Sequence, residues 1–258
     1  MNLQLDLILA KQYENSSQKM RKVTESWITQ NMLCPYCGKS YLIKAAANHQ
    51  NADFTCPTCL EAYTLKCKNS PIHDKLQIGA YQPMMQSIAS LDNPNFLFLE
   101  YDAKELRIQN LFMVPRYFFC IDTIEKRQPL SSPTRRQAWV GCNILLNRIP
   151  SEGHIYIVEN EMEYTMQEVL EKRRQTNFMC SYKPRAREWI IDILNLIQEK
   201  EFTVEEICSY APIMEIRYAG ITDAQVRIRK VLRILRDNGI IIFVGKGIYR
   251  RAGKSFTQ

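Results

Sequence analysis

Two pairs of cysteines carry the clearest chemistry in the chain. Cys34-Pro-Tyr-Cys37-Gly38 and Cys56-Pro-Thr-Cys59 each have the C-x-x-C spacing, and eighteen residues separate them. A two-residue spacer lets both thiolates of a pair converge on one ion, and two such knuckles at this separation suit a tetrahedral four-thiolate zinc site. Pro35 and Gly38 supply tight-turn chemistry around the first pair. A redox pair or chance are the competing readings of one knuckle, and two matched knuckles disfavour both. Four thiolates leave no open coordination position, so the predicted zinc is structural and does not itself activate water. The remaining five of the nine cysteines, Cys67, Cys120, Cys142, Cys180 and Cys208, fit no ligand spacing and read as buried thiols. His49, His73 and His154 are isolated and are assigned no metal.

The second chemical signal is positive charge near the C-terminus. Ile228, Val231, Leu232 and Leu235 fall on one arc of a helix, and Gln225, Arg229, Arg233 and Arg236 fall on an adjacent stripe at 100° per residue. Lys246, with Arg250 and Arg251 beyond it, adds a second basic element. A solvated charged face is the ordinary reading of one such helix. A recognition helix beside a basic wing is the reading favoured when both elements occur together, although winged helices also dock proteins. The chain as a whole has 258 residues, a formal charge of +7 and a pI near 8.9, a field that attracts polyanions such as nucleic acid.

The elements that must position these groups follow from periodicity. Residues 16–30 read as a helix with Met20, Val23, Trp27 and Ile28 on one face, leading into the first knuckle. Residues 62–67, 95–101, 108–114 and 155–158 have the density of strands, with a helix near 81–89 and a Pro- and Ser-rich loop at 128–136. The first part of the chain is therefore α/β (α+β). The pattern loosens over 161–183, and Pro184 suits the first turn of a new helix, which places a domain boundary near Tyr182. Beyond it Ile190, Ile193, Leu194 and Ile197 mark one helix. Thr203-Val-Glu-Glu206 opens a second with a capping box, and Thr222 begins a third. Strands at 240–244 and 248–251 flank Gly245-Lys246-Gly247 as a hairpin. Three helices and a terminal hairpin are the order of a winged helix-turn-helix. No apolar run approaches 18 residues and no leader pattern opens the chain, so a cytoplasmic protein without membrane contact is expected.

Several longer strings resemble one family. They are Cys34-Pro-Tyr-Cys37, Ala52-Asp53-Phe54, Cys56 to Cys59, Leu65-Lys66, Gly79-Ala80-Tyr81, Asn93-Pro-Asn-Phe96, Arg135-Arg136, Trp139-Val-Gly-Cys-Asn143 and Ile234-Leu-Arg-Asp237. Together they resemble the bacterial DpnI-like methyl-directed restriction endonucleases over nearly the whole chain. The resemblance implies a PD-(D/E)XK nuclease domain with a four-cysteine structural zinc site over 1–181 and a winged-helix DNA-binding domain over 182–258. It also implies a monomer that cleaves double-stranded DNA at GATC containing 6-methyladenine, with both domains reading the modified sequence.

Phosphodiester hydrolysis at neutral pH calls for a metal that activates water and offsets phosphate charge. By resemblance Asp53 is the magnesium-binding carboxylate, and Lys66 orients the attacking water or steadies the charged transition state. The family pattern expects Asp or Glu two residues before that lysine, on the same strand face, where this chain has Thr64. Losing a carboxylate weakens magnesium binding. Glu61 is offset by three residues and points to the other face unless the strand bulges; Glu25 and Glu100 are candidate substitutes. Trp139 corresponds to a family tryptophan at the methylated base, an ordinary core tryptophan being the alternative. Arg135 and Arg136 suit phosphate contacts on a loop, a solvated loop being theirs. Gln225, Arg229, Arg233 and Lys246 complete the predicted DNA contacts. A cleavage-deficient protein that binds DNA with methylated adenine, or a zinc-containing transcription regulator, remains open at this level.

Overall fold

The computed structural model describes residues 1–46, 52–129, 139–197 and 201–252. The chain divides into two compact units, residues 1–176 and 177–258.

The first unit is mixed α/β. Helix α1 (Ser16–Asn31) starts at Asn15, whose side chain accepts from the N–H groups of Ser17 and Gln18, satisfying donors that the first helical turn leaves open. The strands follow as β1 (Ile43–Lys44), β2 (Phe54–Thr55), β3 (Ala62–Lys68) and β4 (Lys75–Ala80). Helix α2 (Tyr81–Ala89) precedes β5 (Asn95–Asp102), β6 (Arg107–Val114), β7 (Ile124–Lys126), β8 (Gly141–Leu145), β9 (Ile155–Glu159), β10 (Met162–Glu163) and helix α3 (Met166–Thr176).

Seven strands form one sheet in the order β1-β2-β3-β5-β6-β9-β10, and β4-β8-β7 form a second. Among the described residues, only β3 and β5 run parallel within the large sheet. Their register sets Thr64 beside Phe96 and Lys66 beside Phe98, so these four side chains share a face. The opposite face of β3 meets α1, where the Cys67 thiol donates to the Thr24 hydroxyl at 3.3 Å. Val23, Trp27 and Ile28 of α1 pack into a core with Tyr63, Leu97, Leu99, Leu111 and Ile157. Met20, on the predicted apolar face, is only partly buried against that core.

In the second unit a short 3-10 helix (Asn177–Ser181) precedes α4 (Pro184–Leu196), which has Pro184 in its first turn. Then come β11 (Phe202–Thr203), α5 (Val204–Cys208), α6 (Ala211–Arg217), α7 (Ala224–Asp237), β12 (Ile241–Gly245) and β13 (Ile248–Arg251), the strands ordered β11-β13-β12. The capping box forms: Thr203 Oγ1 accepts from the Glu206 N–H while Glu206 accepts from the Thr203 N–H. The predicted second helix is broken at Ser209 and Tyr210 into α5 and α6, and the third begins at Ala224 rather than Thr222. Pro212, which cannot continue the hydrogen-bond ladder from α5, sits in the first turn of α6.

Candidate active site

The hairpin β2–β3 brings an acid and a base to one cleft. The Asp53 N–H donates to the Tyr63 carbonyl at 2.8 Å, and Asp53 Oδ2 accepts from the Leu65 N–H at 2.9 Å. Backbone and side chain of Asp53 are thus both fixed to β3, next to Lys66. A cleft of about 270 Å³ is lined by Asp53, Thr64 and Lys66 together with Gly79, Ala80, Pro83, Met84, Ser87 and Phe96. Its walls come from the large sheet, from β4 of the small sheet and from α2. Burial pushes the Lys66 ammonium below its ordinary range, and the nearby Asp53 charge opposes that shift.

Asp53 is the sole acidic residue lining the cleft among the described residues. Thr64 stands on the Lys66 face, as strand alternation requires. Glu61 is buried and committed elsewhere: Asn95 Nδ2 donates to it at 2.8 Å and Arg116 lies 3.4 Å away. Glu100 is likewise outside the cleft, accepting from the Asn110 side-chain amide and the Ile72 N–H. Glu25 sits on α1 between two cations, with Arg21 Nε at 2.7 Å and Lys44 Nζ at 2.9 Å. Burial would raise the Glu25 carboxyl, but Lys44 and Arg21 outweigh it and hold the group below its usual range. Arg21 also reaches Asp53 Oδ1 at 3.5 Å, a link between helix and cleft that the sequence reading missed. The i,i+4 spacing of Arg21 and Glu25 was the available signal.

The four knuckle sulfurs, Cys34, Cys37, Cys56 and Cys59, all lie within 4.8 Å of one another. Cys34 is 3.6 Å from Cys59 and Cys37 is 3.6 Å from Cys56. A tetrahedral ion with bonds of about 2.3 Å sets sulfurs about 3.8 Å apart, so the cluster has the dimensions of a zinc site. Cys56 and Cys59 lie in the loop of the β2–β3 hairpin, and Cys34 follows α1. Burial pushes the Cys34 thiol up to about 11, an outcome that a bound cation would reverse. For Cys56, N–H groups of Cys59 and Thr58 outweigh burial and bring it to about 7.

Arg135 and Arg136 lie outside the described residues. Trp139 is half-buried, and its ring lies against Gly141: a Cβ there would meet Trp139 ring carbons at 2.8 Å. Gly141 pairs with Ala80, a cleft residue, so this tryptophan lies two residues before the strand that adjoins the cleft wall.

In the second unit α7 buries Ile228, Val231, Leu232 and Leu235 and exposes Gln225, Arg229, Lys230, Arg233 and Arg236. Arg236 pairs with Asp237, whereas no described carboxylate pairs with Arg229, Lys230 or Arg233. Lys246 and Gly247 form the two-residue connection between β12 and β13, both with positive φ (51° and 78°), the signature of a type I′ turn. Lys246 is exposed at that tip.

A family model described as DpnI, the Dam-replacing family, matches residues 1–182. A second, the Dam-replacing HTH domain, matches 185–251. The chain belongs to the DpnI family of methyl-directed restriction endonucleases. For a DpnI-family nuclease, DNA is the partner, and the C-terminal helix-turn-helix matches a domain of that family. No described helix is long and apolar enough to cross a membrane.

Proposed function

We propose that this protein cleaves double-stranded DNA at GATC sites containing 6-methyladenine, by metal-dependent phosphodiester hydrolysis in the Asp53–Lys66 cleft. The observation that carries this reading is the hairpin itself: one Asp53–Leu65 hydrogen bond at 2.9 Å fixes the acid beside the strand that presents the lysine. The arrangement is that of a PD-(D/E)XK site with its middle acid replaced.

Magnesium commonly keeps several waters and takes one or two carboxylates plus substrate phosphates. Asp53, partly exposed at the cleft, offers one carboxylate, so the residues fit a weak magnesium site completed by the DNA. When bound there, the ion supplies Lewis acidity to the phosphate and lowers the pKa of a coordinated water. Asp53 would hold the ion, Lys66 would direct its ammonium toward the attacked phosphate or the incoming water, and Thr64 would contribute a neutral hydroxyl. Zinc at Cys34, Cys37, Cys56 and Cys59 would brace the hairpin without touching substrate. Arg135 and Arg136 would bind phosphates and Trp139 the methylated base. Gln225, Arg229, Arg233 and Lys246 would give the winged-helix unit, assigned to 182–258 beside a nuclease domain over 1–181, its own hold on the duplex. The protein acts as a cytoplasmic monomer in this proposal.

The test is digestion of methylated and unmethylated plasmid with magnesium or manganese. Methylated plasmid should be cut at GATC, unmethylated plasmid left intact, and Asp53→Ala or Lys66→Ala should abolish cutting. Equal cutting of both plasmids refutes the methyl-directed part.

A further inference from the structure

We infer that Arg21 is a phosphate-binding residue of the cleavage site, resting on Asp53 in the DNA-free protein and passing to a backbone phosphate when duplex enters. It is a positioning residue on α1, outside the hairpin that carries Asp53 and Lys66. The inference rests on the reading of that cleft as the place where DNA is cut.

Three features of its geometry lead there. First, Arg21 is tethered at its neck: Nε lies 2.7 Å from Glu25 Oε1, and Lys44 at 2.9 Å holds the other Glu25 oxygen, so the guanidinium is anchored at one end while Nη2 reaches toward Asp53. Second, its forward contact is loose. The Nη2 to Asp53 Oδ1 separation is 3.5 Å, longer than the about 2.7–2.9 Å of a charge-assisted hydrogen bond, while Asp53 Oδ2 is already bonded to the Leu65 N–H. Third, the side chain remains 71% exposed, so most of its five N–H donors face solvent at the cleft edge. A planar fork of donors that is tethered at Nε and weakly engaged at Nη matches the two oxygens of a phosphate better than one carboxylate oxygen.

Local charge supports the same exchange. Arg21, Lys44 and Lys66 set three cations against the two anions Glu25 and Asp53, leaving an excess positive charge. Such a group accepts a phosphate readily and repels a free divalent cation. As Arg21 leaves Asp53, that carboxylate becomes available to a metal at the moment the phosphate arrives. Glu25, in this arrangement, serves as the anchor of Arg21.

The experiment compares the full-length protein with Arg21→Gln, and with Lys104→Gln as a remote surface change of equal charge. Affinity for a duplex is measured across salt concentrations in metal-free buffer, and free manganese is titrated by its resonance signal without DNA. Arg21→Gln should lose several-fold in DNA affinity and flatten the logarithmic salt dependence by about 0.9, one phosphate contact. It should also bind manganese several-fold more tightly, a change that Asp53→Asn removes and that a merely structural strap would not produce. An unchanged salt slope, an equal loss in Lys104→Gln, or unchanged manganese affinity overturns the inference. Phosphate contact is blind to methylation, so the Arg21 effect must appear on methylated and unmethylated duplex alike. Equal parental affinity for the two refutes methyl reading and leaves this test intact.

Discussion

If the cleft hydrolyses DNA as proposed, replacing Thr64 by Glu should convert a weak metal site into a strong one. Position 64 is half-buried on the face of β3 that carries Lys66, and the adjoining cleft of about 270 Å³ has space for the longer side chain. Two unit charges about 4 Å apart interact by about 1 kcal/mol in water and about 4 kcal/mol at an effective permittivity near 20. A dication doubles those values, so the lower bound for a new carboxylate is about 2 kcal/mol, or about thirtyfold in metal affinity. The magnesium concentration giving half-maximal cleavage of methylated plasmid should fall by that factor, and direct manganese titration should show the same shift. If both quantities stay within about threefold of the parent, Thr64 is not at the metal, and the assignment of the cleft as the hydrolytic site fails with it.

Three further outcomes follow from the same structure. Native mass spectrometry should find one zinc per chain, and Cys37→Ser should lose it. Even a quarter of the about 10–16 kcal/mol that structural zinc supplies, about 3 kcal/mol, lowers Tm by about 6–12 °C for a chain of this size. Gly141→Ala must displace the Trp139 ring, whose carbons lie 2.8 Å from the added Cβ. If that ring contacts the methylated base, the preference for methylated over unmethylated duplex in a competition assay should drop at least about fivefold, about 1 kcal/mol. His154 is half-buried against Phe112, with ring centroids 5.6 Å apart, and its desolvation lowers its pKa. The unfolded chain therefore binds the extra proton first. The contribution is complete above the unfolded value of about 6.5 and is lost as pH falls below it toward the folded value. Urea midpoints at pH 7.5 and 5.5 should differ less in His154→Phe than in the parent.

Where an element buries a continuous face, its sequence was enough to find it. Helix α1 showed itself through Val23, Trp27 and Ile28, and β5 through an unbroken apolar run from Phe96 to Leu99 that is buried on both sides of the sheet. Helix α3 was hidden because, of its eleven residues, only Val169 and Thr176 are fully buried, too few to impose a helical period against Glu168, Glu171, Lys172, Arg173 and Arg174. The small sheet escaped notice because β4 is mostly exposed and its partner β8 comes some sixty residues later. The four-cysteine cluster was legible from local spacing alone. The acid–base pair of the cleft was legible only through family likeness, since an Asp and a Lys thirteen positions apart carry no periodic signal. Whether another carboxylate serves for Thr64 was a three-dimensional question. Glu61 is claimed by Asn95 and Arg116, and Glu25 by Lys44 and Arg21, partners that no linear pattern announces.

The β12–β13 connection sets two demands against each other at one residue. Lys246 holds a φ of 51°, a left-handed backbone that costs a side chain bearing Cβ about 1–2 kcal/mol relative to glycine. Glycine would relieve the strain and remove the ammonium from the hairpin tip; lysine keeps the charge at the expense of backbone strain. Conformational ease and electrostatic grip therefore trade off at residue 246, and a more robust variant selected there by heating would be a poorer ligand for a polyanion.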